Sequence, residues 1–174
     1  TTAVTVGDGV LDLGGLLTNA PLVTLTGGSI SNGTLRSESG FEFASGVVFA
    51  DMIGSASLNK TGVGTLVLGG QNRYTGGTTL TAGSLLLGAH DVLRATAGVT
   101  QNGGTFDLGG FSTQSGTYAL NGGLIRNGTL SAERFELWSG AVDARLAGSG
   151  AVLKAGADTV LLTGEIGVSG RVSV

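Results

Sequence analysis

The chain has 174 residues, enough for one domain, and its 41% hydrophobic content argues for a packed core rather than disorder. Thirty-four glycines beside one proline suit a fold with many corners at positive φ. A net charge of −3 without a basic stripe argues against nucleic acid or an anionic membrane as partner, and the absence of cysteine excludes disulfides, thiol catalysis and cysteine-based metal sites.

From the N-terminus onward, short apolar-alternating runs recur at nearly constant spacing. They are Gly9-Val10-Leu11, Gly28-Ser29-Ile30, Gly46-Val47-Val48, Gly64-Thr65-Leu66, Gly83-Ser84-Leu85, Gly104-Thr105-Phe106, Gly123-Leu124-Ile125, Gly140-Ala141-Val142 and Asp158-Thr159-Val160. Successive starts lie 19, 18, 18, 19, 21, 19, 17 and 18 residues apart. Each run is too short for a helix and suits a strand entered through a bend. A whole turn of chain between strands favours parallel stacking over hairpins. The expectation is an all-β solenoid, a parallel β-helix of about nine turns of 17–21 residues, with residues 1–174 as one segment.

The third position of each unit is Leu11, Ile30, Val48, Leu66, Leu85, Phe106, Ile125, Val142 and Val160, all apolar, and is predicted to form an inward column. The next position is mixed, holding Asp12, Ser31, Phe49, Val67, Leu86, Asp107, Arg126, Asp143 and Leu161, and alternation turns it outward. Phe49, Val67 and Leu86 then make a possible contact patch on three consecutive turns. Trp138 and Tyr74 are further candidates for partial exposure.

A longer repeat overlies the short one. Residues 4–70 align with 99–164 after one gap at Gly40, with about 30 identities. VLDLGG (10–15) matches TFDLGG (105–110), GGSISNGTL (27–35) matches GGLIRNGTL (122–130), and FEFASGVV (41–48) matches FELWSGAV (135–142). Asn32-Gly33 and Asn127-Gly128 favour positive φ and suit corners. Ala89 to Gly98, which includes His90, Asp91 and Arg94, lacks strand pattern and reads as a loop or one helical turn. The chain begins at Thr1 without an initiator Met or signal peptide, has no run of membrane-span length, and reads as a piece of something larger.

Within residues 58–88, Lys60-Thr61-Gly62, the run Gly64 to Gly69, Asn72, Tyr74, Gly76-Gly77-Thr78, and Gly83 with Leu85 closely resemble the passenger-associated transport repeat of bacterial autotransporters. A partial second copy runs from Lys154-Ala155-Gly156 to Gly164, departs at Ala155 and Asp158, and lacks the Asn-x-Tyr part. The resemblance implies a secreted or surface-displayed passenger of a Gram-negative cell, exported through periplasm and outer membrane by its own C-terminal translocator barrel. It also implies a right-handed β-helix, the hand that parallel crossovers favour.

Candidate chemistry is sparse. Asp12 and Asp107 share an outward slot but lie five turns apart, about 24 Å, too far for paired glycosidase carboxylates. Asp107, Arg126 and Asp143 should stack on successive turns as a salt-bridged surface ladder. His90 has no evident nucleophile. Gly103-Gly104-Thr105-Phe106-Asp107 departs from calcium-binding nonapeptides at Phe106. Asn32-Gly33-Thr34 and Asn127-Gly128-Thr129 are formal glycosylation sequons that read first as turns. No catalytic, metal or cofactor site is expected.

The leading expectation is a structural stalk supporting secretion, folding and adhesion or virulence. Its expected partners are a host-surface protein or glycan, the barrel, and other copies through open β-helix ends. A polysaccharide-acting β-helix enzyme, lyase or glycosidase, is the alternative.

Overall fold

A computed structural model describes residues 2–93 and 97–174. Twenty-one strands, and no helix, occur among the described residues, and every strand pairing is parallel within one continuous sheet. One coil illustrates the path. The strand Thr65–Leu68 is followed by Arg73–Tyr74 and Thr78–Leu80, and Ser84–Leu87 then lands on Thr65–Leu68 with Leu85 beside Leu66. The coils therefore wind around three faces, and each coil advances the rod by one strand spacing, about 4.8 Å.

The first face carries the column read from the spacing. Ile30, Val48, Leu66, Leu85, Phe106, Ile125 and Val142 have no exposed surface, whereas Leu11 and Val160 are half-buried because their coils lie near the two ends of the stack. Leu66, Leu85, Phe106, Ile125 and Val142 are consecutive neighbours, as are Leu11, Ile30 and Val48.

The column departs from that reading at two points. Val48 lies beside Leu68 rather than Leu66, and Val142 lies beside Leu162 rather than Val160. A two-residue step is invisible to an inside/outside pattern, because side chains alternate with a period of two. Both Leu66 and Leu68 are fully buried, so the step leaves the core intact.

Another face supplies two adjacent inner columns. One runs Val4, Val23, Phe41, Leu58, Thr78, Val99, Tyr118, Phe135 and Val152; the other runs Val6, Leu25, Phe43, Lys60, Leu80, Gln101, Leu120, Leu137 and Lys154. Aromatic rings pack along the first, with Tyr118 and Phe135 centroids 6.4 Å apart. A fully buried apolar side chain is worth about 1.5–3 kcal/mol, and here it is realised only against the coils above and below.

The connector after Gly88 is no helical turn in its described part. Val92 and Leu93 are buried in the core, and the Val92 carbonyl accepts a hydrogen bond from the Asn72 amide at 3.2 Å. Arg94 lies outside the described residues.

Candidate functional site

Among the polar residues buried inside the solenoid are Lys60, Asn72 and Thr78, between residues 58 and 87, and Gln101 beyond them. In the strand Leu58–Lys60, alternation puts Lys60 on the same side as Leu58, so its side chain enters the core and has no exposed surface. Its ammonium donates to the Gly62 carbonyl of its own corner and to the Ala82 carbonyl one coil on, the latter at 3.0 Å. Burial pushes the amine below the usual lysine range, and the two carbonyl oxygens offset the cost of desolvating it.

Asn72 stands in for a missing piece of strand. Arg73–Tyr74 pairs with Ile53 and Gly54 but stops short of Met52, which has Leu35 as its strand neighbour on the preceding coil. The Asn72 Oδ1 accepts from the Met52 amide at 3.2 Å, while its Nδ2 donates to the Gly70 carbonyl at 3.1 Å. Tyr74, expected to be partly exposed, is 2% exposed because alternation turns Arg73 outward and Tyr74 inward. Its hydroxyl meets Thr78 Oγ1 at 2.6 Å, and burial raises the phenol above its ordinary range. Gln101, on the Lys60 column, repeats the Lys60 arrangement with an amide. Nε2 donates to the carbonyls of Gly104 and Leu124, each at 3.1 Å, and Oε1 accepts from the Tyr118 hydroxyl at 2.6 Å.

The corners at Asn32 and Asn127 form a second class of polar site. Both asparagines sit at positive φ, 56° and 57°. Asp12 Oδ1 accepts from the Gly14 amide at 2.8 Å and from Asn32 Nδ2 one coil on at 3.0 Å. Asp107 Oδ1 accepts from the Gly109 amide at 2.9 Å, and both of its carboxylate oxygens accept from Asn127 Nδ2 at 3.2 Å. A Cβ at Gly33 would lie 2.6 Å from Leu13 Cβ, and one at Gly128 2.6 Å from Leu108 Cβ. The Asp, Gly and Asn of these motifs are thereby consumed in holding adjacent coils together.

Asp107, Arg126 and Asp143 occupy adjacent positions in the ladder. Arg126 Nε bonds Asp107 Oδ2 at 2.9 Å, whereas Asp143 Oδ1 accepts from Thr163 Oγ1 at 3.0 Å. No group of three or more His, Asp or Glu side chains placed to hold a metal occurs among the described residues. His90 is exposed; its Nδ1 accepts from the Ser112 amide at 3.1 Å and its ring lies edge-on to Phe111. Glu38 is held well below the usual carboxylate range, at about 2, by the Ser55 hydroxyl first and then by the Arg36 guanidinium.

The outward strip differs in one member from the spacing. Val67 and Leu86 are half-buried neighbours, but the residue beside Val67 on the preceding coil is Val47, not Phe49. Phe49 is 57% exposed and lies over Gly69, whose missing side chain leaves room for the ring. The same two-residue step that offsets Val48 from Leu66 displaces Phe49 from Val67. Asp107 follows Leu86 and ends the strip.

The buried polar residues Lys60, Asn72 and Gln101 escape a reading based on apolar columns. Their signal is phase: Lys60 follows Leu58, and Gln101 follows Val99, at the two-residue spacing of one strand face.

Residues 58–87 match the family described as Passenger-associated-transport-repeat. Over 155 residues, 87% of its length, the chain is 32% identical to "Adhesin BmaC autotransporter" from Brucella suis biovar 1 (strain 1330), and it spans 4% of that relative's length. No solved structure matches the chain. Lys60, Asn72, Tyr74 and Thr78 all fall inside the matched stretch, so the chain is a parallel β-helix whose residues 58–87 match the passenger-associated transport repeat and most of whose length is similar to an autotransporter adhesin.

Proposed function

We propose that this segment is a non-enzymatic stalk of an autotransporter passenger, displayed on the bacterial surface or released from it after passage through periplasm and outer membrane. The observation that carries the reading is the unbroken parallel ladder from Val4 to Ser173, in which interior coils are paired above and below. Such a stack grows by nearest-neighbour addition. Each coil emerging from the translocator barrel can pair with the one already folded, and folding outside the cell opposes return. The repeat at 58–87 suits this task because its buried polar groups find partners in a single register.

Adhesion to a host-surface protein or glycan is the finer part of the proposal. Support comes from the name of the relative and from Phe49, 57% exposed and set two residues off the half-buried strip of Val67 and Leu86. The enzyme alternative has less behind it, since the carboxylates of Asp12 and Asp107 are engaged by corner amides.

The stalk reading is tested by fusing the segment ahead of a translocator barrel and measuring its protease accessibility on intact cells. Leu66→Asp should abolish surface display, and Asp107→Ala should reduce it far less. Equal display of the two variants would remove the reading. Binding to host extracts by purified wild-type segment, lost in Phe49→Ser, would support adhesion; unchanged binding would count against Phe49.

A further inference from the structure

The two copies of the internal repeat differ in charge at one corner. Asn19, Arg36 and Ile53 are neighbours on successive coils of the first copy, as Gln114, Ser131 and Ala147 are in the second. The alignment then sets Ser131 at the place of Arg36, Glu133 at that of Glu38 and Ser149 at that of Ser55. In the first copy Arg36 Nε donates to Glu38 Oε1 at 2.9 Å, and the amide and hydroxyl of Ser55 donate to Oε2. Glu133 has no hydrogen-bond or ion-pair partner among the described residues. Its neighbour Arg134 is paired with Glu136 at 2.7 Å. The corner lies inside the stack, since the Ser169 amide of the following coil donates to the Gly148 carbonyl at 2.9 Å.

Gln114, Ser131, Glu133 and Ser149 line a cleft of about 160 Å³ at this corner, and no cation lines it. None of their side chains has a hydrogen-bond partner among the described residues. A guanidinium carries five N–H donors and no acceptor, so it can meet the Glu133 carboxylate and still give its other donors to the Gln114 and serine oxygens. The first copy shows the same carboxylate position taking such a group from within the chain. We propose that the Glu133 corner is a docking point for an arginine side chain of a partner protein, whose guanidinium takes on Glu133 the place that Arg36 takes on Glu38. The net charge of −3 favours a basic partner. Glu133 is exposed, and a single exposed ion pair is weak, so one arginine should bind only at millimolar concentration. The docking point rests on the two copies within the chain and holds whether or not the segment is a stalk.

The test titrates the nitrogen-15-labelled full chain with three probes: the capped tripeptide acetyl-Gly-Arg-Gly-amide, its lysine counterpart, and free arginine. The arginine peptide should shift the backbone amides of Glu133 and Ser149 and saturate. The lysine peptide should bind less tightly because it lacks the planar fork, and free arginine less tightly because Glu133 repels its carboxylate. Glu133→Gln should weaken the arginine peptide by about fivefold. Ser131→Arg, which rebuilds a pairing that the first copy already holds, should abolish its binding, and Glu38→Gln should leave it unchanged. The proposal would be overturned by equal binding of the lysine peptide, by tighter binding of free arginine, or by shifts that persist in Glu133→Gln. The absence of any shift at Glu133 and Ser149 would overturn it as well.

Discussion

Lys60 Nζ donates to the carbonyl of Ala82, 3.0 Å away and one coil further along the rod, from a position with no exposed surface. This bond joins two coils through the core rather than through the sheet. It links a motif residue to register, because a coil slipped by one residue would turn Lys60 outward and orphan both acceptors.

Lys60→Met keeps the apolar stem but leaves the Gly62 and Ala82 carbonyls without a donor. The expected loss is about 1–3 kcal/mol in urea unfolding, with Lys154→Met costing less because Lys154 is half-buried. The pH dependence carries the same signature. Since the folded-state amine lies below its ordinary value of 10.5, the unfolded chain binds more protons between the two values, and stability rises with pH across that window. The rise should be missing from Lys60→Met.

Core and surface positions of one strand should separate cleanly. Leu85→Ala removes a side chain with no exposed surface and should cost about 2–5 kcal/mol, whereas Leu86→Ala, half-buried on the outer side, should cost well under half of that. Thermal or urea denaturation of both variants checks the register; similar losses would show it to be misassigned.

The corner clamps should resist a conservative change. Asn127→Asp sets a carboxylate against Asp107 in place of an amide donor and should destabilise by about 1–3 kcal/mol at neutral pH. Acidification to protonate the pair should recover part of the loss. Gly128→Ala should cost at least as much, because its Cβ meets Leu108 Cβ and the Phe111 carbonyl.

Glu38 supplies an acid-side test. Its folded-state value of about 2 lies below the ordinary 4.5, so its contribution is present above 4.5 and disappears as pH falls through 2. The Ser55 amide donates to Glu38 at 3.0 Å. Exchange at Ser55, corrected for the intrinsic acid rate, should accelerate across that window, and Glu38→Gln should flatten the response.

The recurrence of apolar residues every 17–21 positions was enough to establish the parallel coils and the inward side of the first face, because only stacking buries a strand this short on a neighbour of the same kind. The Asn-Gly corners were legible for a similar local reason, since φ > 0 is a property of the residue pair itself. Lateral partnership was not. Val48 with Leu68, and Phe49 over Gly69, depend on how many residues a corner absorbs, and a period-two pattern is blind to a step of two. The interior place of Lys60, Asn72 and Tyr74 was also decided by the tertiary structure, because a buried polar group is tolerable only where partners from its own and adjacent coils converge on it.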